Sequence, residues 1–166
     1  WNNSKTYYEP AFPNATYWSH KDHWAHALNP NAREKASFLE ENIKPIEESG
    51  QLKFIGDDLK LGDNIVIKLV NGHTESMMIP IIDVNGQKLA YMADLFPSTG
   101  HIRPNYGMSY DIRPLDTMAE RAAFAKEAFE NDYILFFEHD LKHECGKLTK
   151  DDRGRYNLQS TFDLKE

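Results

Sequence analysis

The stretch from Ile65 to Leu95 reads IVIKLVNGHTESMMIPIIDVNGQKLAYMADL, and it decides the fold of this chain. Three apolar runs rich in β-branched residues predict three strands: Ile65–Val70, Met77–Ile82 and Lys88–Ala93. Asn-Gly, the pair between the second and third runs, is typical of a tight two-residue hairpin turn. The stretch therefore predicts a strand, a loop, a second strand, a turn and a third strand, with the last two strands antiparallel.

Two polar residues flank this predicted hairpin at the same end. His73 precedes the second strand, and Asp94 follows the third. Because antiparallel strands joined by a tight turn bring their far ends together, we expect His73 and Asp94 to be neighbours at one edge of a sheet. A histidine in a glycine-containing loop and an aspartate after a strand are also ordinary turn residues, so the pair alone does not define a site.

A third strand end carries side chains of the same kind. The run Tyr133–Phe137 is apolar and of strand length, and Glu138 and His139 follow it directly. Imidazole nitrogen and carboxylate oxygen are both normal zinc donors. We therefore predict that His73, Asp94 and His139 converge at one end of the sheet and bind metal.

The strand ends carry three motifs in this order: Gly72-His73-Thr74, Ala93-Asp94 and Glu138-His139-Asp140. In their order and their strand-end contexts, these motifs resemble the metallo-β-lactamase superfamily of hydrolases. The resemblance extends from about Phe12 to the end of the chain. Within the superfamily, the segments Asp94–His101 and Phe136–His139 are most similar to the lactonase and organophosphate-hydrolase-like branch.

The resemblance implies a layered α/β (α+β) fold, in which this chain is a portion of an αβ/βα sandwich. It implies two divalent metal ions, with zinc the expected metal. Asp94, the catalytic carboxylate, would bridge both ions, His73 would complete the first ligand set and His139 the second. The implied function is hydrolysis of an ester, a lactone or a related substrate by metal-activated water.

The chain departs from the family pattern in one respect. Members of the family carry an earlier His-x-His-x-Asp-His motif that supplies most ligands of the first metal and part of the second set, and no such string occurs in these 166 residues. We therefore expect residues 1–166 to be one domain without an internal linker, the C-terminal portion of a metallo-β-lactamase-like domain. The missing N-terminal half would be its partner, and the truncated chain alone would be inactive.

The long connection after Asp94 is the expected wall of the substrate pocket. Residues 95–116 are rich in proline, glycine and aromatic side chains. Long loops beside an active centre are commonly functional, so we predict that His101 and Tyr110 bind the substrate. The alternative is a surface loop whose side chains are satisfied within the protein.

Composition limits the classes of partner. Hydrophobic residues make up 40% of the chain, charged residues 27%, and the formal net charge is −7. This is typical of a soluble globular protein, and the absence of a basic block argues against nucleic acid. No apolar run approaches the roughly 18 residues of a membrane span. We expect a small-molecule substrate and no membrane partner, favour the cytoplasm, and leave an oligomer open. The single cysteine, Cys145, excludes a disulfide within the chain.

Other histidines form a competing pattern near the start of the chain. His20, His23 and His26 share one face of a helix predicted to start at Ser19. We predict that this trio packs and binds no metal, because tryptophan and leucine surround it and no carboxylate at a sheet edge accompanies it. A second predicted helix starts at Asn31 and should bend or end just before Pro45.

Two other classes of function fit the same residues. One is a non-catalytic metal- or protein-binding module of the same fold, in which the three strand-end residues are structural. The other is an iron-dependent redox member of the superfamily, although nothing after His139 resembles an electron-transfer domain. The metal content of the intact protein separates the first alternative from a hydrolase.

Overall fold

A computed structural model describes residues 8–164 of the chain. They group into two compact units, one that ends at Asp58 and one that begins at Leu59. Whether both belong to a single domain stays a prediction. None of the helices within residues 8–164 combines the length and the apolar character that a bilayer crossing requires.

The first unit contains two short strands and two helices. β1 (Tyr17–Ser19) pairs in parallel with β2 (Leu52–Phe54), and α1 (Lys21–Leu28) and α2 (Glu40–Glu48) lie between them in the sequence. A parallel pair needs a crossover of this kind, because the chain must return to its starting edge before the second strand begins.

α1 begins two residues later than the sequence predicts. Ser19 belongs to β1, and His20 is the N-cap of α1, where its ring nitrogen Nδ1 accepts a hydrogen bond from the backbone N–H of Asp22 at 3.3 Å. An N-cap needs a side-chain acceptor, and a histidine with an unprotonated Nδ1 provides one.

α2 is shorter than predicted. Asn31 does not begin it, because its side chain caps a separate turn by accepting hydrogen bonds from the N–H groups of Arg33 (2.9 Å) and Glu34 (3.1 Å). The helix begins at Glu40 and continues through Pro45, so it does not end there, while the alternative of a bend at this point stays a prediction. Proline at this position removes only one intrahelical hydrogen bond, and the rest of the helix is retained.

The second unit is built on a seven-stranded sheet with the strands in sequence order. Its members are β3 (Lys60–Leu61), β4 (Ile65–Val70), β5 (Met77–Val84), β6 (Gln87–Tyr91), β7 (Ile134–Phe136), β8 (Cys145–Lys150) and β9 (Tyr156–Phe162). All neighbouring strands are antiparallel except β6 and β7, which are parallel. The three strands predicted in the central stretch and the strand predicted before His139 are confirmed.

The turn between β5 and β6 has the conformation that Asn-Gly predicts. Asn85 has φ 54° and Gly86 has φ 86°, so both central residues are left-handed. The Asp83 carboxylate accepts a hydrogen bond from the N–H of Gly86 at 2.7 Å. This turn sets the register in which Val84 pairs with Gln87, and the register carries through to the far end of the hairpin.

α3 (Pro114–Glu130) connects β6 to β7 and covers one face of the sheet. It begins at Pro114, because a proline at the first helical position has the required φ and no N–H to satisfy. Phe124, Ala125 and Ala128 are fully buried in the same core as the sheet residues Ile79, Ile81, Ala90 and Leu135. Each large side chain buried this way contributes about 1.5–3 kcal/mol.

The parallel pair β6–β7 positions the candidate site. Both strands end at the same edge of the sheet, so the residues after Tyr91 and those after Phe136 are neighbours. The N–H of Met92 donates to the carbonyl of Phe136 at 3.0 Å, and the N–H of His139 donates to the carbonyl of Pro97 at 3.0 Å. These bonds fix the two strand-end loops against each other.

Candidate metal centre

His73 lies in the loop between β4 and β5, which is fastened to α3. The Glu120 carboxylate accepts hydrogen bonds from the N–H groups of Asn71 (2.6 Å) and Gly72 (2.9 Å). The loop approaches the helix so closely that a Cβ added at Gly72 would lie 2.2 Å from the backbone nitrogen of Thr117. The contact with α3 therefore sets the position of His73.

Asp94 lies between the two histidines. Its Oδ2 is 3.3 Å from Nε2 of His73, and its Oδ1 is 3.4 Å from Nε2 of His139. Ala93, directly before it, has φ 42°, a left-handed conformation that turns the chain after β6. The structure thus brings together the three residues that the sequence predicts as metal ligands. Their binding of metal stays a prediction.

The spacing of these donor atoms fits divalent ions. Two donors that each lie about 2.1 Å from a tetrahedral ion are about 3.4 Å apart. The separations of 3.3 Å and 3.4 Å agree with that value. Each oxygen of Asp94 faces a different histidine.

Asp111 is a member of the site that the sequence analysis did not identify. Its side chain is fully buried, and its Oδ1 accepts a hydrogen bond from Nδ1 of His73 at 3.0 Å. Asp111 Oδ2 accepts from the N–H of Met108 at 3.1 Å and lies 3.9 Å from Nη2 of the buried Arg121. Histidines that bind metal commonly donate their second N–H to a carboxylate in this way.

Arg121 holds the loop that carries Asp111. Its guanidinium donates to the carbonyls of Leu95 (2.6 Å) and Tyr106 (2.7 Å), while Nη2 is buried without a hydrogen-bond partner within the described residues. Burial lowers the pKa of Arg121, and the nearby Asp111 and Asp94 oppose that effect. The Arg121 guanidinium therefore lies near the Asp111 carboxylate but makes its hydrogen bonds to backbone carbonyls.

The hydrogen bond to Asp111 determines which face of His73 is available. With Nδ1 directed at Asp111, Nε2 is the ring nitrogen that faces the Asp94 carboxylate, at 3.3 Å. Burial lowers the pKa of His73, but hydrogen bonds and charges from Asp94 and Asp111 outweigh burial, so the pKa is raised. The hydrogen bond with His73 lowers the pKa of Asp94.

Glu138 also belongs to the cluster. Its Oε1 is 3.1 Å from Nε2 of His139, and its Oε2 accepts a hydrogen bond from the Tyr91 hydroxyl. Within residues 8–164, one group of metal-donor atoms has all its members within 4.8 Å of one another, and it consists of Asp94, Glu138 and His139. The sequence signal for Glu138 was its place next to a predicted ligand.

Tyr91 keeps its proton in this contact. Burial and the neighbouring Glu138 raise the pKa of Tyr91 to about 12. The phenol is therefore a hydrogen-bond donor throughout the neutral range.

Asp140 organises the loop that follows the predicted ligand His139. Its carboxylate accepts hydrogen bonds from the N–H and the hydroxyl of Thr99, and from the N–H groups of Lys142 and His143. Burial alone would raise the pKa of Asp140, but these hydrogen bonds lower it to about 2. Asp140 thereby ties the loop after Asp94 to the loop after β7.

The two predicted substrate-binding residues, Tyr110 and His101, have different contacts. The ring of Tyr110 packs edge-on against His73 with centroids 6.2 Å apart, and the Tyr110 residue is exposed to solvent. His101 ends a short 3₁₀ turn, Thr99–His101, and its Nδ1 is hydrogen-bonded to the Ser98 hydroxyl at 2.8 Å. Burial and the charge of Arg121 lower the pKa of His101.

Two of the competing histidines of α1 make packing and polar contacts within the first unit, and the cysteine is buried in the second. His23 and His26 pack edge-on against Phe38, and His26 Nε2 lies 2.8 Å from the Glu34 carboxylate. Cys145 is fully buried at the start of β8. Burial raises the pKa of its thiol to about 11.

Several solved structures have a similar fold. A probable metal-dependent hydrolase from Staphylococcus aureus superposes with a TM-score of 0.80 at 24% identity, over 93% of this chain and 54% of its own. AidC, a dizinc quorum-quenching lactonase, superposes with a TM-score of 0.76 at 23% identity, over 93% of this chain and 57% of its own. The hydrolase AbOPH of the β-lactamase superfamily superposes with a TM-score of 0.74 at 21% identity, over 93% of this chain and 57% of its own. No family model matches the chain, and no curated protein does.

The chain spans about half the length of these neighbours, 54–57% of each. They confirm the layered α/β fold class and the superfamily likeness that the sequence motifs indicate. At these identities the likeness establishes the fold, and the chemistry has to be argued from the side chains of this chain.

Proposed function

On the premise that this chain has part of the metallo-β-lactamase fold, we propose that it supplies part of the active site of a metal-dependent hydrolase. The observation that carries this proposal is the position of Asp94, whose two oxygens lie 3.3 Å and 3.4 Å from Nε2 of His73 and of His139. A purely structural aspartate needs only one such partner. A carboxylate that bridges two ions needs a donor on each side.

His73 and Asp94 would hold the first ion, and Asp94 and His139 the second. The nitrogen and oxygen donors suit zinc. Divalent ions held as a pair supply a nucleophilic water at neutral pH and polarise the oxygen of the bond under attack. In the metal-bound state, a hydrogen bond from Nδ1 of His73 to Asp111 would fix the tautomer that leaves Nε2 free to bind.

The proposed substrate is a lactone, an ester or a related small molecule. One structural neighbour is a lactonase, solved with a product, and another is a probable metal-dependent hydrolase. Tyr110 stands exposed beside His73, where it can contact a substrate held at the ions. His101, on the loop that follows Asp94, is the second proposed contact.

We propose that the remaining ligands come from residues outside this chain. A catalytic zinc normally has three protein ligands and one open position, whereas His73, Asp94 and His139 give each ion two. The 166 residues contain no His-x-His-x-Asp-His string that would supply the others. The isolated chain would then turn over substrate poorly or not at all, while the protein at its natural length is active.

The test measures hydrolysis by the protein at its natural length, loaded with zinc, on an acyl homoserine lactone, an aryl ester and a phosphotriester. Asp94→Asn should reduce kcat/KM by about 100-fold or more, because loss of a single catalytic group commonly costs that much. Asp152→Asn is the matched control, since Asp152 lies exposed in the β8–β9 turn. Equal loss in both variants, or none in Asp94→Asn, would overturn the assignment of the site.

A further inference from the structure

We propose that Glu138 is a metal ligand, so that Asp94, Glu138 and His139 form a three-ligand site for one divalent ion within this chain. This deepens the proposed function by adding a donor to the second ion position. It rests on that function only in assigning metal to Asp94 and His139.

The distances support a common ion. Nε2 of His139 lies 3.1 Å from Oε1 of Glu138 and 3.4 Å from Oδ1 of Asp94. Donors around a tetrahedral zinc are about 3.4 Å apart, so His139 has two oxygen neighbours at ligand spacing. All three donor atoms lie within 4.8 Å of one another.

Tyr91 holds Glu138 in the orientation that this site requires. Tyr91 and Phe136 are register partners on the parallel strands β6 and β7, and their rings stack with centroids 5.6 Å apart at an interplanar angle of 19°. The Tyr91 hydroxyl donates to Oε2 of Glu138. The other oxygen, Oε1, is thereby directed toward His139. Ligating carboxylates are commonly hydrogen-bonded in this way by residues behind them.

The charges also match a divalent ion. Asp94 and Glu138 contribute two negative charges, and a neutral His139 completes the set with a nitrogen donor. Arg121, the nearby buried cation, directs its hydrogen bonds at the carbonyls of Leu95 and Tyr106 instead. Two carboxylates this close repel each other, and an ion of charge +2 compensates them.

The competing explanation is an exposed ion pair between Glu138 and His139. The His139 side chain is 59% exposed, and ion pairs at such sites contribute about 0–1 kcal/mol. Such a pair explains neither the hydrogen bond from Tyr91 on the far side of Glu138 nor the second oxygen from Asp94. The two explanations differ in their effect on metal affinity, which can be measured without an activity assay.

The experiment measures zinc stoichiometry and affinity by competition with a chromophoric chelator, in the protein at its natural length. Glu138→Gln keeps the shape of the side chain and an acceptor for Tyr91, yet removes the charge. One equivalent of zinc should bind more than about 100-fold more weakly. This loss of affinity exceeds the range that is usual when a residue hydrogen-bonded to a metal ligand is replaced. Tyr91→Phe, which leaves Glu138 in place but unsupported, should weaken the same equivalent by about 10-fold.

The control is Glu130→Gln, which removes an exposed carboxylate at the end of α3 and should leave both equivalents unchanged. The visible absorption of the cobalt-loaded protein gives a second readout, and Glu138→Gln should alter it because the ligand set changes. Circular dichroism confirms that each variant is folded.

The outcomes separate the two proposals. If Asp94→Asn abolishes zinc binding while Glu138→Gln changes neither the affinity nor the cobalt spectrum, Glu138 is not a ligand and the proposed site stands without it. If Asp94→Asn also leaves zinc binding unchanged, the metal centre itself is wrong.

Discussion

Gly72→Ala should disrupt the candidate site without touching any ligand. The added Cβ would lie 2.2 Å from the backbone nitrogen of Thr117 and 2.5 Å from its Cα. Ordinary contact requires about 3.4 Å or more, and both obstructing atoms are backbone of α3, so no side-chain rotation relieves the clash. The loop or the helix has to move by more than about 1 Å.

That movement has two consequences of different kinds. Overpacking against rigid backbone costs about 3 kcal/mol or more, which lowers the melting temperature by at least about 6 °C for a chain of this size. Because His73 directly follows Gly72, its imidazole is displaced as well. A misplacement of about 1 Å at a catalytic group can reduce the rate by about 100-fold.

The assays are thermal unfolding by circular dichroism, zinc affinity, and turnover of the protein at its natural length. Gly100→Ala is the matched control: it lies on the loop beside the site, and its added Cβ would meet nothing closer than the Ser98 hydroxyl at 3.5 Å. If Gly72→Ala has the melting temperature and the zinc affinity of the wild type, the close packing of this loop on α3 is not what positions His73.

Three further predictions concern groups around the site. Asp111→Asn should weaken zinc binding by about 10–100-fold, because the amide no longer fixes the tautomer of His73 as the carboxylate does; an affinity equal to that of the wild type would contradict this role. Cys145, with its pKa raised to about 11 by burial, should resist alkylation at pH 8 in the folded protein and react once urea unfolds it; rapid labelling of the native state would be inconsistent with its burial. Asp140 has a pKa lowered from 3.8 to about 2, so its contribution to stability is present above about pH 4 and is lost as the pH falls toward 2. Asp140→Asn should remove that part of the acid dependence, and an unchanged profile of melting temperature against pH would refute it.

Much of the sheet and the three strand-end residues could be predicted from local patterns. Apolar runs and one Asn-Gly turn define the hairpin, and antiparallel geometry then places His73 beside Asp94 although neither lies in a strand. His139 required a further step, the parallel pairing of β7 with β6, which the helix between them favours.

Asp111, Glu138 and Tyr91 could not be assigned in the same way. Asp111 reaches His73 only because Arg121 holds the loop after Asp94 in an irregular path, and no periodicity encodes such a path. Tyr91 meets Glu138 only through the register of β6 with β7. Register between strands that are distant in sequence depends on tertiary packing, which local composition does not determine.

The first unit shows where propensity misleads. The apolar spacing around Asn31 predicts a helix start, but its side chain caps a turn with Arg33 and Glu34 instead. Asparagine offers its backbone neighbours a local hydrogen bond that competes with helix formation. Pro45 does not end α2, because one lost hydrogen bond leaves the other bonds of the helix intact.

The most direct test of the central claim is anomalous diffraction at the zinc edge from crystals of the zinc-loaded protein at its natural length. We expect two peaks beside Asp94, each about 2.0–2.2 Å from one of its two oxygens, and about 3.5–4 Å from each other. The nearer histidine should be His73 at one peak and His139 at the other. Zinc bound elsewhere, such as on the α1 histidines, with no peak in contact with Asp94, would contradict the proposed metal centre.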